Sequence, residues 1–270
     1  MTMEDEELFR LEEVRYVYPG NIVALDGVSL RVRRGAHVAI LGANGSGKST
    51  LLKVMDGLYL PQEGTLYAFG RPVTSRALED ERFASELHRR VGLLFQDPDV
   101  QLFSATVWDE LAFGPLQLGW PMEQVQERVE EMLRWLALEE VRERPPYRLS
   151  GGEKRKVALG AVLVTEPEVL LLDEPTAFLD PRSRCQLLDY LLEWGERGTL
   201  VLCTHDLELA EEIANQIYVL DRGRVIAGGR PAEILDDETL LEHANLIHAH
   251  RHRHGDLLHR HRHDHRHHTH

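Results

Sequence analysis

Two cysteines, Cys185 and Cys203, are all that 270 residues contain. That is too few for a disulfide framework and lacks the CxxC spacing of a zinc site, so both read as small core residues of a protein in a reducing compartment. No apolar run approaches the ~18 residues that a membrane span requires. The opening Met1-Thr2-Met3-Glu4-Asp5-Glu6-Glu7 is acidic where a secretory leader is basic, so the expected location is the cytoplasm. Cations are the scarcer charge, 31 Lys and Arg against 45 Asp and Glu, net −14 with neutral histidine. The body therefore has no general electrostatic grip on nucleic acid or anionic lipid. Internal repeats are lacking too. What the chain has in quantity, 43% hydrophobic and 28% charged residues, suffices for one substantial α/β core or two small domains.

Hydrophobic spacing gives the organisation. Leu11, Val14, Tyr16 and Tyr18, then Val28, Leu30 and Val32, alternate around Pro19-Gly20-Asn21 and predict an antiparallel β edge. Val38 to Leu41 and Val169 to Leu172 are continuously apolar and end in polar residues, as parallel strands covered on both faces do, and 199–203 and 217–220 extend the same sheet. A helix is predicted from Asp180 as cap and Pro181 as first residue to Gly195, burying Leu187, Leu188, Leu191 and Leu192. Another, from Pro121 to about Leu138, presents Val125, Val129, Met132, Leu133 and Leu136 on one face, and its place between early and late strands predicts a helical insertion. Residues around Gly223 read as a terminal hairpin.

Gly42-Ala43-Asn44-Gly45-Ser46-Gly47-Lys48-Ser49-Thr50 follows a predicted buried strand and opens a helix carrying Leu51, Leu52 and Met55. That is the context of a phosphate-binding loop: glycines let backbone N–H groups turn inward around phosphate oxygens, and the helix N-terminus adds its positive end. Lys48 would reach the β- and γ-phosphates of ATP, and Ser49 would ligate Mg²⁺. Asp173 and Glu174 end a second buried strand, where Asp173 can hold the Mg²⁺ shell and Glu174 can polarise attacking water as general base.

With these residues in place, Leu149-Ser150-Gly151-Gly152-Glu153 resembles the signature of ATP-binding-cassette ATPases. Gln96, within Leu94-Phe95-Gln96-Asp97-Pro98, resembles the Q-loop and thereby a third Mg²⁺ contact. Asp180, within Ala177-Phe178-Leu179-Asp180, resembles the D-loop, His205 the switch histidine, and Tyr18 the aromatic that stacks on adenine. Any one of these motifs alone is commonplace; six in order are not. The resemblance covers residues 9–236 and implies a P-loop NTPase (RecA-like) α/β core with an antiparallel β edge and a helical subdomain inserted at about 97–165. It also implies that Glu174, His205 and Gln96 are catalytic, and that the signature of one subunit closes on the γ-phosphate held by a second, an identical chain or a paralogue. Phe178 stands where a smaller residue is usual, and Glu153-Lys154-Arg155-Lys156 departs from the usual glutamine wording. Residues 95–115, with Leu102, Phe103, Val107 and Trp108 needing cover, resemble the energy-coupling-factor branch, whose members import cobalt, nickel, biotin and other vitamins. The resemblance implies a peripheral protein on the cytoplasmic face, docked on integral membrane subunits.

Composition changes beyond residue 237. Twelve of the 15 histidines fall between His243 and His270. Residues 248–270 are little else but His, Arg and a few small or acidic residues with no apolar face to bury, and 237–270 reads as a His/Arg-rich, mobile tail. His248, His250, His252, His254, His259, His261, His263, His265, His267, His268 and His270 offer imidazoles suited to Ni²⁺ or Co²⁺. Five arginines and two aspartates in 248–270 make the segment +3 before any histidine protonates, so contact with anionic lipid is a competing reading. A purification tag is a third, although tags are usually uninterrupted His runs.

Overall fold

The computed structural model describes residues 6–177, 179–254 and 257–263, with side chains as far as Ile247. Phe178, His265, His267, His268 and His270 lie outside the described residues. Met1–Val73 with Val201–His270 form one compact unit, and Thr74–Leu200 a second.

The first unit opens with β1 (Glu7–Tyr18) and β2 (Ile22–Arg33), joined through Gly20 and Asn21 at φ 88° and 62°. They pair antiparallel with Phe9 opposite Val32, Leu11 opposite Leu30 and Val14 opposite Val28, so one apolar face is buried. β3 (His37–Leu41), α1 (Lys48–Met55), β4 (Glu63–Ala68) and β5 (Arg71–Pro72) follow, and β2-β1-β4-β5 is the order of the antiparallel sheet.

In the second unit α2 (Ser75–Leu78) and α3 (Glu81–Arg90) lead into β6 (Val91–Leu94). Then come α4 (Val107–Gln117), α5 (Met122–Trp135), α6 (Gly151–Leu163), β7 (Val169–Asp173) and α7 (Pro181–Gly195). β6 and β7 are parallel and in register from Val91 opposite Val169 to Leu94 opposite Leu172. α4 packs on α5 and α6. At Gly160 the approach is close: a Cβ there would lie 2.7 and 2.8 Å from Leu136 and Leu111. α5 buries Val125, Val129, Met132 and Leu133, the face its spacing predicts. α7 buries Leu187, Leu188 and Leu191 but exposes Leu192 and Cys185, which correct the expectation that both are core residues; each projects from the face of α7 turned to solvent.

The chain returns through β8 (Thr199–Thr204), α8 (Leu207–Ile213), β9 (Gln216–Asp221), β10 (Arg224–Gly229), α9 (Pro231–Leu235) and α10 (Glu238–His243). In the first unit the strand order is β10-β9-β3-β8, with β3 and β9 parallel. Ala39, Leu41, Ile217 and Val219 share a buried cluster with Leu241, Ala244, Leu246 and Ile247. Each of those last large side chains contributes roughly 1.5–3 kcal/mol by leaving water, so folding continues past the change in composition at 237. Beyond it β11 (His248–His254) pairs antiparallel with β12 (Leu257–His263), His250 opposite His261 and His252 opposite His259. The expectation for this segment was a mobile tail; its period-two alternation of His and Arg is also the pattern of a strand.

Candidate nucleotide-binding site

In the first unit β3 runs apolar to Leu41, and the loop from Gly42 delivers the chain into α1. Gly45 and Gly47 have φ 83° and 109°, where side chains are strained. A Cβ at 47 would lie 2.5 Å from the Ala24 carbonyl oxygen, and one at 42 would meet the Leu220 carbonyl oxygen and the Ser46 side chain. Both positions require glycine on packing grounds. No side chain caps α1, so the helix brings its partial positive charge to the loop unneutralised.

Lys48 is only 6% exposed, and its ammonium donates to the carbonyls of Gly42 at 2.7 Å and Ala43 at 3.3 Å. Ser46 Oγ is buried without a hydrogen bond, an arrangement that ordinarily costs about 1–3 kcal/mol and fits a loop that takes up a polar ligand. From behind, Gly223 N–H donates to Ser46 O at 2.8 Å, while its carbonyl accepts from Asp26 N–H at 2.8 Å. Thr50 Oγ1 lies 3.0 Å from the Tyr18 hydroxyl. Tyr18 meets Tyr16 and Tyr59 edge-on at 5.1 and 5.9 Å, and those two rings stack at 4.9 Å. Burial and the neighbouring phenols raise the Tyr16 pKa. His205 is exposed directly after β8, and Asp206 caps α8 through Leu209 N–H at 3.1 Å.

In the second unit β7 delivers Asp173 and Glu174, each 5% exposed. Glu174 has φ 44°, a left-handed conformation costing roughly 1–3 kcal/mol for a residue with a side chain and concentrated at functional sites. Ser150 caps α6 reciprocally: Glu153 N–H donates to its Oγ at 3.3 Å, while the Ser150 amide and hydroxyl each donate to Glu153 Oε2 at 2.7 Å. Those bonds from Ser150 hold the Glu153 carboxyl below its usual pKa. Ser150 and Gly151 are exposed, with buried Leu149 anchoring the turn. A Cβ on Gly152 would sit 2.7 Å from Ser183 Oγ, and that hydroxyl donates to Asp180 at 2.6 Å and lowers its pKa, so Gly152 and Asp180 are neighbours through Ser183. Gln96 follows β6, its carbonyl gripped by Arg155 from α6.

The apolar surface differs from expectation. Val107 is buried at the start of α4, Leu102 and Trp108 are half-buried, and the exposed residues are Val100 (73%), Phe103 (67%), Phe113 and Leu116. Phe103 meets Phe113 edge-on at 4.9 Å. Buried Glu110 accepts from Phe103 and Ser104 N–H at 2.9 and 2.7 Å and holds Phe103 in this outward turn. Glu110 and Arg155 escape the sequence reading because charged residues on helices usually face water; their only signal is their place among buried neighbours. No helix among the described residues is long and apolar enough to cross a membrane.

A glycine-rich loop between parallel β-strand and helix in the first unit, and an Asp-Glu strand end in the second, are the pattern of the P-loop nucleotide hydrolase fold. Residues 25–177 match the family described as ABC transporter. The chain is 49% identical over 243 residues to the nickel import ATP-binding protein NikO of Rhodobacter capsulatus, covering 88% of this chain and 95% of that one. It is 41% identical over 241 residues to the energy-coupling factor transporter ATP-binding protein EcfA of Methanoculleus marisnigri, covering 88% and 85%. Among solved structures it is similar to CbiO1 of Clostridium perfringens, part of the ABC transporter complex CbiONQ, with TM-score 0.75, 34% identity and 90% and 96% coverage. This chain belongs to the ABC transporter family and is an ATPase whose hydrolysis is coupled to transport.

Proposed function

We propose that the chain is the ATP-hydrolysing subunit of an energy-coupling-factor type importer for nickel or cobalt ions, peripheral on the cytoplasmic face of the membrane. The similarity to a nickel import ATPase over nearly the whole of both chains carries this reading. The exposed patch at Val100, Phe103, Phe113 and Leu116 supports docking on an integral membrane subunit. Register places histidines opposite one another between β11 and β12, which supports metal capture by the tail. Vitamin uptake is the variant that the energy-coupling-factor likeness also favours.

In this reading Tyr18 stacks on adenine. The N–H groups of Ala43, Asn44, Gly45, Ser46 and Gly47 and the start of α1 receive phosphate oxygens, and Lys48 exchanges its carbonyl partners for the β- and γ-phosphates. Ser49 hydroxyl, Gln96 amide and Asp173 carboxylate are the hard oxygen donors that suit Mg²⁺, which when bound neutralises phosphate charge. Glu174 takes the proton of attacking water, and His205 orients the γ-phosphate. Ser150 and its glycines form an anion-binding helix start for the nucleotide of a second ATPase subunit, so two chains make two composite sites.

The test is uptake. The chain purified with the hydrophobic subunit that accompanies it, placed in proteoliposomes with internal ATP, should accumulate Ni²⁺ or Co²⁺, and Glu174→Gln should stop it. Absence of any hydrophobic partner favours a metal-storage role, and vitamin uptake without metal uptake changes the cargo. Removing residues 248–270 should abolish binding of several Ni²⁺ per chain, seen by equilibrium dialysis and weakening as pH falls through ~6.5, and leave hydrolysis intact. Equal metal binding with and without the tail ends the capture reading.

A further inference from the structure

Arg155, in the second turn of α6, is 3% exposed. Its Nη1 donates to Phe95 O at 2.8 Å and its Nη2 to Gln96 O at 2.5 Å. Two flanking ties join the same segments. Lys154 Nζ donates to Asp99 Oδ1 at 2.6 Å, while Gln101 accepts from Phe95 N–H and donates to Ala158 O, each at 3.3 Å. A guanidinium out of water is costly unless paired and hydrogen-bonded, and desolvation draws the Arg155 pKa down, opposed by Asp97 and Asp173. The guanidinium thus holds the backbone at the root of Gln96 and leaves that side chain untouched.

We propose that Arg155 is a positioning residue for Gln96: it fastens the Q-loop root to the signature helix, so the two motifs, and the apolar patch at Val100 and Phe103 a few residues on, move as one piece. The proposal rests on the reading of Gln96 and Ser150 as nucleotide contacts. The planar fork matters, because its two arms reach two successive carbonyls, and a lysine offers a compact ammonium instead. A change in what Ser150 touches is then felt at the docking patch without rearrangement inside the second unit.

Steady-state hydrolysis by the full chain tests this. Arg155→Gln should lower kcat about tenfold or more while KM for ATP stays within about threefold, because the phosphate loop is untouched, and Arg155→Lys should recover part of the loss. Gln96→Ala should lower kcat by itself, and adding Arg155→Gln to it should lower kcat no further, since one residue acts through the other. Losses that multiply, or normal kcat in Arg155→Gln beside an impaired Gln96→Ala, overturn the positioning role. Normal kcat in Gln96→Ala overturns the underlying reading of the Q-loop. Amide hydrogen exchange across 95–101 reads the same link in the milder Arg155→Lys: it should quicken about tenfold, and unchanged protection refutes the clamp.

Discussion

Asp56 follows the last residue of α1 and is 7% exposed. Burial pushes its carboxyl up from 3.8 to about 7. Between those values the native chain holds a proton that the unfolded chain has released, so this group makes stability fall as pH rises through the window and level off above it. From pH 5 to pH 8 about two units of the window are crossed, and at 1.36 kcal/mol per unit the loss is about 3 kcal/mol. Asp56→Asn keeps the shape and removes the titration. Relative to the parent, the variant should therefore gain about 3 kcal/mol more at pH 8 than at pH 5. Urea unfolding of both proteins at the two pH values, followed by tryptophan fluorescence, measures the gain, and all other titrating groups cancel in the comparison. An Asn variant whose advantage is the same at both pH values refutes the assignment of a buried, proton-holding Asp56.

Glu174→Gln should bind ATP normally, hydrolyse it about two to four orders of magnitude more slowly and accumulate as an ATP-bound dimer in size-exclusion chromatography; near-normal turnover places the base elsewhere. Mixing Ser150→Arg with Lys48→Ala chains puts both defects in one composite site and leaves the other whole, so activity should partly return over either variant alone, and undiminished hydrolysis by a monomer at high dilution sinks the two-subunit site. Gly47→Ala should cost about 2 kcal/mol or more in thermal unfolding and lose ATP binding, because φ 109° and the Ala24 carbonyl both oppose a methyl group; an ATP-binding variant of parental stability would show that the loop relaxes.

The strands that lead into the Gly42 loop and into the Asp173-Glu174 pair were legible because nothing competes with their pattern: Val38 to Leu41 and Val169 to Leu172 are apolar without interruption. α7 was legible at both ends through Asp180, Pro181 and Gly195, but Leu192 shows that a run of leucines does not say where a helix face stops. β4 and β6 were not anticipated. β6 spans only Val91–Leu94 and contains Gly92, where a Cβ would collide with Val162, so its tolerance of glycine comes from a neighbour distant in sequence. Val107 was misplaced on the surface for the same reason, since apolar residues of a loop and of a helix start look alike until α4 is known. Each motif of the site was legible as residues. The ties between motifs, Tyr18 to Thr50 and Arg155 to Gln96, connect residues 32 and 59 apart and leave no mark in local spacing.

The turn at Gly223 has a consequence for synthesis. Its amide holds Ser46, and β9, just before it, is the parallel neighbour of β3. A nascent chain therefore emerges from the ribosome with its phosphate loop written some 170 residues before the strand and turn that brace it. Until residue 223 is out, the loop lacks this brace, so completion of the site belongs to the last stage of synthesis. A chain that stops short of residue 223 lacks the amide that holds Ser46.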